Sequence, residues 1–270
     1  MSWQKNTLLW ITAFILMSAV AVYQRMTGPT HPEKGTTQIS NTDVSYKLLR
    51  SENCGTDAPI NIVAPAPLSA EVRYKRYKSH DTISAMQFAR KGDTLQFFLP
   101  SQPAAGKIEY QVFVSDTAKN ITQSLTKTPL LIRYKGIVPD IVLIIHIIFM
   151  FGAMLLAART AFEALCKSEK TYKYTLWTVI FLAVGGLILG PVVQKYAFGV
   201  FWAGWPFGGD MTDNKTIFTL LIWVLAMIQL KQDRRLFKWA VIAFVVMMVA
   251  YLIPHSMFGS ELDYTKTLTK

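Results

Sequence analysis

Cysteine and histidine are scarce in this chain: two cysteines, Cys54 and Cys166, and four histidines stand among 270 residues. Two cysteines cannot build a disulfide framework. Acidic residues are also few, 17 against 28 lysines and arginines, for a formal charge of +11. No Walker loop, Gly-x-Ser-x-Gly elbow, His-Glu-x-x-His pair or paired-cysteine metal pattern occurs, so no catalytic residue can be named and an enzyme is not the expected class. The positive charge is scattered through polar stretches with no nucleic-acid module beside it, and nucleic acid is not an expected partner.

What the chain has is apolar sequence in blocks. Uncharged runs cover Thr7–Tyr23, Ile141–Ala158, Tyr174–Val193 and Thr216–Leu230, and a further apolar stretch covers Trp239–Tyr251. A bilayer core calls for roughly 17–25 such residues. The short run from Thr216 is expected to gain length by starting near Met211, with Thr212 or Asp213 as its N-cap. The helix over the last stretch is expected to begin near Leu236 and run to Pro254. The first run serves as an anchor over residues 1–23; Ala19-Val20-Ala21 also fits a cleavable signal, which would export the same following segment.

Residues 24–136 differ in kind. Pro, Gly, Ser and Thr punctuate short β-prone runs, with strands expected at Val44–Arg50, Glu71–Tyr77, Ser84–Ala89, Thr94–Leu99, Ile108–Ser115 and Pro129–Tyr134. That spacing suits an immunoglobulin- or fibronectin-like β-sandwich. The expected fold class is a mixed membrane protein: five transmembrane helices, an exported sandwich between helices 1 and 2, a four-helix part over 137–254 and an exported tail over 255–270.

Orientation comes from short-loop lysines and arginines. Arg159, Lys167, Lys170 and Lys173 follow the second run and Lys231, Arg234, Arg235 and Lys238 the fourth, against Lys195 and Lys215 between them. Basic loops face the cytoplasm. The expected location is a bacterial inner membrane, with a cytoplasmic N-terminus and a periplasmic C-terminus. Cys54 and Cys166 then lie on opposite sides and cannot pair.

The stretch from Val200 to Thr216 is unlike a spacer. Trp202, Trp205 and Phe207 are rings suited to a membrane-water interface, Gly208 and Gly209 allow a sharp path, and Asp210, Asp213, Asn214 and Lys215 add polar groups. Together with His255 and Glu261 of the tail they are expected to form a polar plate that binds a partner protein, a lipid or another ligand. A hard-cation site on the carboxylates and a copper site on His255, Met257 and Met211 are open alternatives, and no metal is assigned. His146, set among isoleucines in an apolar run, needs an interior partner. It suits an interhelical hydrogen bond, a haem ligand or a quinone site, so the cofactor is unknown. The expected function is a binding or assembly subunit with the bilayer and a membrane protein as partners. The alternatives are a redox protein working through His146 and a transporter accessory subunit.

Tyr23-Gln24-Arg25-Met26-Thr27-Gly28-Pro29-Thr30, Ile132-Arg133-Tyr134-Lys135-Gly136, Trp205-Pro206-Phe207-Gly208 with Thr212-Asp213-Asn214-Lys215, and His255-Ser256 before Gly259-Ser260-Glu261 carry a resemblance across nearly the whole chain. It resembles an uncharacterised family of bacterial inner-membrane proteins with a small exported β-domain. The resemblance implies an envelope location and a shared architecture, and transfers no catalytic residue.

Overall fold

The structure is a computed structural model that describes residues 2–254 and 259–266. Two compact units emerge, counting described residues: one from Met1–Pro29, Val138–Tyr196 and Val200–Ser260, the other from Thr30–Ile137, Ala197–Gly199 and Glu261–Lys270.

The helical unit holds α1 (Trp3–Thr27), α2 (Asp140–Leu165), α3 (Thr171–Phe198), α4 (Met211–Gln232) and α5 (Lys238–Leu252). Each boundary has a local cause. The Ser2 hydroxyl accepts from the Lys5 amide to cap α1, and Gly28-Pro29 ends it. Pro139 precedes α2, where it can start a helix but not continue one. Asp210 caps α4 by accepting from the Thr212 and Asp213 amides, so α4 starts at Met211 as expected but on a cap two or three residues earlier than Thr212 or Asp213.

The helices are apolar nearly all round. Ile148, Leu221 and Val249 point outward as openly as the core residues point in, which is the pattern of helices solvated by lipid. Inside, alanines 153, 157, 226 and 243 with Met150, Met154, Met247 and Trp223 form the core. Small residues let backbones approach where hydrophobicity gives no inward drive.

Helix α3 changes pitch at Ala183–Leu189, a π-helical segment holding Gly185 and Gly186. A Cβ on Gly186 would lie 2.5 Å from the Thr216 methyl of α4, and one on Gly185 2.8 Å from the Met150 sulfur. The close approach therefore requires glycine, as the Gly185-Gly186 pair predicts.

The described residues of the β-unit form eleven strands: β1 (Glu33–Ile39), β2 (Thr42–Leu48), β3 (Ser51–Asn53), β4 (Ala58–Val63), β5 (Ser69–Arg76), β6 (Ser84–Gln87), β7 (Ala89–Lys91), β8 (Thr94–Leu99), β9 (Lys107–Asp116), β10 (Ile121–Ser124) and β11 (Leu130–Lys135). One sheet runs β1-β2-β4-β8-β7, the other β3-β11-β9-β5-β6 with β10 also on β9. Both contribute to one core, Val44, Ile60, Ile62 and Leu95 from the first and Val72, Tyr110, Val112 and Ile132 from the second. Strand β9 buries every second residue, the period-two pattern that locks a half-buried strand in register.

The expected fold class is corrected in two respects. Among the described residues four helices, not five, are long and apolar enough to cross a membrane. Helix α5 has 15 residues, roughly 22 Å at 1.5 Å per residue against a hydrocarbon core of about 30 Å. The β-unit is not the expected immunoglobulin or fibronectin pattern of six to eight strands. It adds a β1–β2 hairpin and a parallel β3–β11 pair to its antiparallel ladders. The architecture is a mixed α/β fold in the order helix, two sheets, helices.

Replacing Gly186 by Val should force α3 and α4 apart and destabilise the helical unit by about 1–3 kcal/mol. Thermal unfolding of the detergent-purified protein, followed by circular dichroism, measures it.

Candidate functional site

The stretch 200–210 leads into α4, and its polar groups are used internally. Asp213, buried in the first turn of α4, receives three donors on Oδ2: the Ala203 amide at 2.7 Å, the Gly204 amide at 3.0 Å and the Gln194 amide group at 3.1 Å. Asn214 Oδ1 accepts from the Trp205 amide at 2.7 Å. Asp210 Oδ1 caps the helix, and its Oδ2 accepts from the Ser260 amide and hydroxyl at 2.8 and 3.0 Å. Trp202 Nε1 donates to the Trp205 carbonyl at 3.1 Å. Gly204 is required here, since a Cβ would meet the Asp213 Cβ at 2.6 Å.

The consequence is a loop whose backbone is held from inside while its rings face outward. Trp205 is 74% and Phe207 82% exposed. Trp202 is half-buried. Among the described residues no three His, Cys, Asp or Glu side chains group as a metal site; Asp210 and Asp213 point at backbone amides instead.

Of the sequence-predicted residues, Trp202, Trp205, Phe207, Asp210, Asp213 and Asn214 thus meet in one loop, with Gln194 and Ser260 as partners that composition does not mark. Lys215 faces the bundle and donates to the Ile253 carbonyl at 2.6 Å. His146 Nδ1 lies 3.0 Å from the Gly185 carbonyl, which is the interhelical hydrogen bond among the readings of that residue. The π-helical geometry of Gly185 brings that carbonyl to α2. His255 and Met257 lie outside the described residues.

Glu261 takes its partners within the β-unit, where its carboxylate pairs with Lys78 and, at 2.5 Å, with Lys107. The Leu262 amide donates to the Ala105 carbonyl at 3.0 Å and the Tyr264 hydroxyl to Gln102 Oε1 at 2.8 Å. The basic strand Arg73 to Lys78 is compensated along its length: Arg73 by Glu71, Lys75 by Glu109 and Arg76 by Asp81. The Arg76 guanidinium hydrogen-bonded to it holds the Asp81 carboxyl at about 2.

One buried pair has no counterpart in the sequence reading. Arg159 and Glu163 are both 0% exposed and joined at 2.5 Å. The same guanidinium nitrogen donates to Asn6 of α1 at 2.7 Å, and the group lies against the rings of Trp10 and Tyr174. Arg159 is therefore a tie between α1, α2 and α3 and not the loop cation its position after an apolar run implies. The i,i+4 spacing of Arg159 and Glu163 on one helix was the available signal.

No protein-family model matches this chain, and no curated protein matches it.

Two outcomes follow from this geometry. Asp213→Ala strands three donors and should loosen the loop at a cost on the order of 1–3 kcal/mol, while Asp213→Asn can keep an acceptor at the same place and should be mild. Limited proteolysis across 200–210 distinguishes them, and equal damage from both would show that the charge itself matters.

The tail contact should depend on pH. Burial acts to raise the Glu261 carboxyl, but the hydrogen bonds and charges of Lys107 and Lys78 prevail and leave it below its ordinary 4.5. The two lysines move oppositely, Lys107 down because burial outweighs its bond and Lys78 up through its bond to the same carboxylate. A depressed carboxyl contributes stability above its unfolded value and loses it as pH falls through the folded one. Hydrogen-exchange protection of the Leu262 amide should therefore hold at neutral pH and decline below roughly pH 4, and Glu261→Gln should remove that dependence.

Proposed function

We propose that this chain is a membrane-anchored binding or assembly subunit of the bacterial inner membrane that engages a partner membrane protein through the 200–210 loop. The observation that carries this reading is the outward pair Trp205 and Phe207 on a backbone held by Asp213 and Asn214. Large rings on a pre-ordered loop lose little entropy when they dock, and aromatic anchors dominate interface energetics. A ring pair serving only to fill the loop's own interior would be buried.

The proposed orientation places the N-terminus in the cytoplasm, with the β-unit and the segment Glu261–Lys266 in the periplasm. Its support is the grouping of Lys167, Lys170 and Lys173 about the α2–α3 connection and of Lys231, Arg234, Arg235 and Lys238 about the α4–α5 connection. The burial of Arg159 removes one charge from the first group and leaves the bias intact. That Glu261, Leu262 and Tyr264 bond to β-unit residues supports one side for both.

A photo-crosslinking residue at position 207 tests the reading in cells. A protein adduct of defined mass that Trp205→Ala abolishes is expected. Adducts with lipid alone would overturn the partner and leave the loop an interfacial anchor.

A further inference from the structure

Strands β5 and β8 end, and β6 and β9 begin, around one cleft of the β-unit, about 370 Å³ in volume. Alternation along β5 puts Tyr74 and Arg76 on the face that buries Val72. The register then sets Tyr74 beside Ser84 of β6 and Arg76 beside Ile108 of β9. These four residues line the cleft from the second sheet. Pro100 and Gln102, just past β8, line it from the first, and Asp81 and Thr82 of the β5–β6 connection complete it. The volume falls within the range of small-molecule sites.

The walls are held in place by the protein itself. Arg76 gives Nε and Nη2 to the Asp81 carboxylate at 2.6 and 2.8 Å, and its guanidinium carbon lies 4.7 Å from the centre of the Tyr264 ring. Its third nitrogen, Nη1, stays outside that pair. Gln102 is fixed at both ends of its amide: Nε2 donates to the Pro100 and Ser101 carbonyls at 3.2 and 2.8 Å, and Oε1 accepts from the Tyr264 hydroxyl at 2.8 Å. The Tyr74 ring leans on Phe97 with 5.9 Å between centres. Side chains ordered in advance lose little entropy when a ligand arrives.

Two properties of the lining select among ligands. The first is balanced charge: Arg76 answers Asp81, and Lys75, also at the cleft, lies 3.9 Å from Glu109, so little net field remains to draw an ion. The second is divided polarity. The half-buried Tyr74 and Pro100 bring apolar surface, while Arg76, Asp81 and the exposed hydroxyl residues Thr82 and Ser84 bring donors and acceptors. A wholly apolar ligand would leave the polar groups unanswered, and a small polar one would leave the apolar surface uncovered. A pyranose ring meets both demands, having C–H groups across its faces and, around its edge, hydroxyls that each donate and accept.

From this we infer that the cleft of the β-unit binds a neutral saccharide, with one pyranose ring against Tyr74 and Pro100 and its hydroxyls on Arg76, Asp81, Thr82 and Ser84. The site does not depend on the partner proposed for the 200–210 loop.

An array of neutral and acidic oligosaccharides, probed with the labelled full chain in a detergent that carries no sugar headgroup, tests this. Saturable retention on neutral glycans is expected, and Thr82→Val, Ser84→Ala and Arg76→Lys should each weaken it about three- to tenfold. The first two alter exposed side chains and should leave the fold intact, which circular dichroism checks. Absence of retention on every neutral glycan would overturn the inference. So would retention confined to acidic glycans, which is attraction to the basic strand, or neutral binding that all three variants leave unchanged, which places the saccharide elsewhere.

Discussion

In hydrocarbon a backbone amide or carbonyl has no water to turn to, so every departure from regular helix must be answered by a protein group. The helical unit, whose long helices are apolar enough to cross a membrane, meets this demand at two irregular places. Where α3 changes to π-helical pitch, the Gly185 carbonyl receives the His146 ring. Where the chain leaves helix after α3, the Ala203, Gly204 and Trp205 amides converge on Asp213 and Asn214. Residues that look like metal ligands or redox groups by type are here backbone acceptors and donors, placed where the chain could not otherwise remain ordered.

Close packing follows from the same constraint. Without a hydrophobic force between helices, contact depends on shape, and the alanines of the core with Gly152, Gly185 and Gly186 supply it. A Cβ on Gly152 would meet the Phe181 ring at 2.7 Å. Such positions leave no space to spare.

Charges are handled in three ways. Arg159 is fully buried but has Glu163, Asn6 and two rings about it, an arrangement in which losing either ionic partner leaves an uncompensated charge. Glu261 sits between Lys78, which is open to solvent, and Lys107, which is largely buried, so solvent weakens the first contact more than the second. Lys215 alone of these faces the helical interior with a single carbonyl.

Length and polarity along the chain were enough to mark the long helices α1 to α4, because apolar runs of spanning length have few other uses. Short β-prone runs between turn residues likewise marked β2, β5, β8, β9 and β11. They missed β4, where Pro59 reads as a strand breaker although Ala58, Ile60 and Ile62 alternate inward, and they merged β6 with β7, which lie in different sheets. The short α5 was overread because composition does not reveal where a helix starts and stops. The loop's rings and acids stood out by residue type, and tertiary structure alone decided their roles: which acid caps, which one gathers amides, and which rings stay outside. Gln194, Ser260 and the Arg159–Glu163 tie depend on contacts between distant parts of the chain, for which local sequence carries no periodic signal.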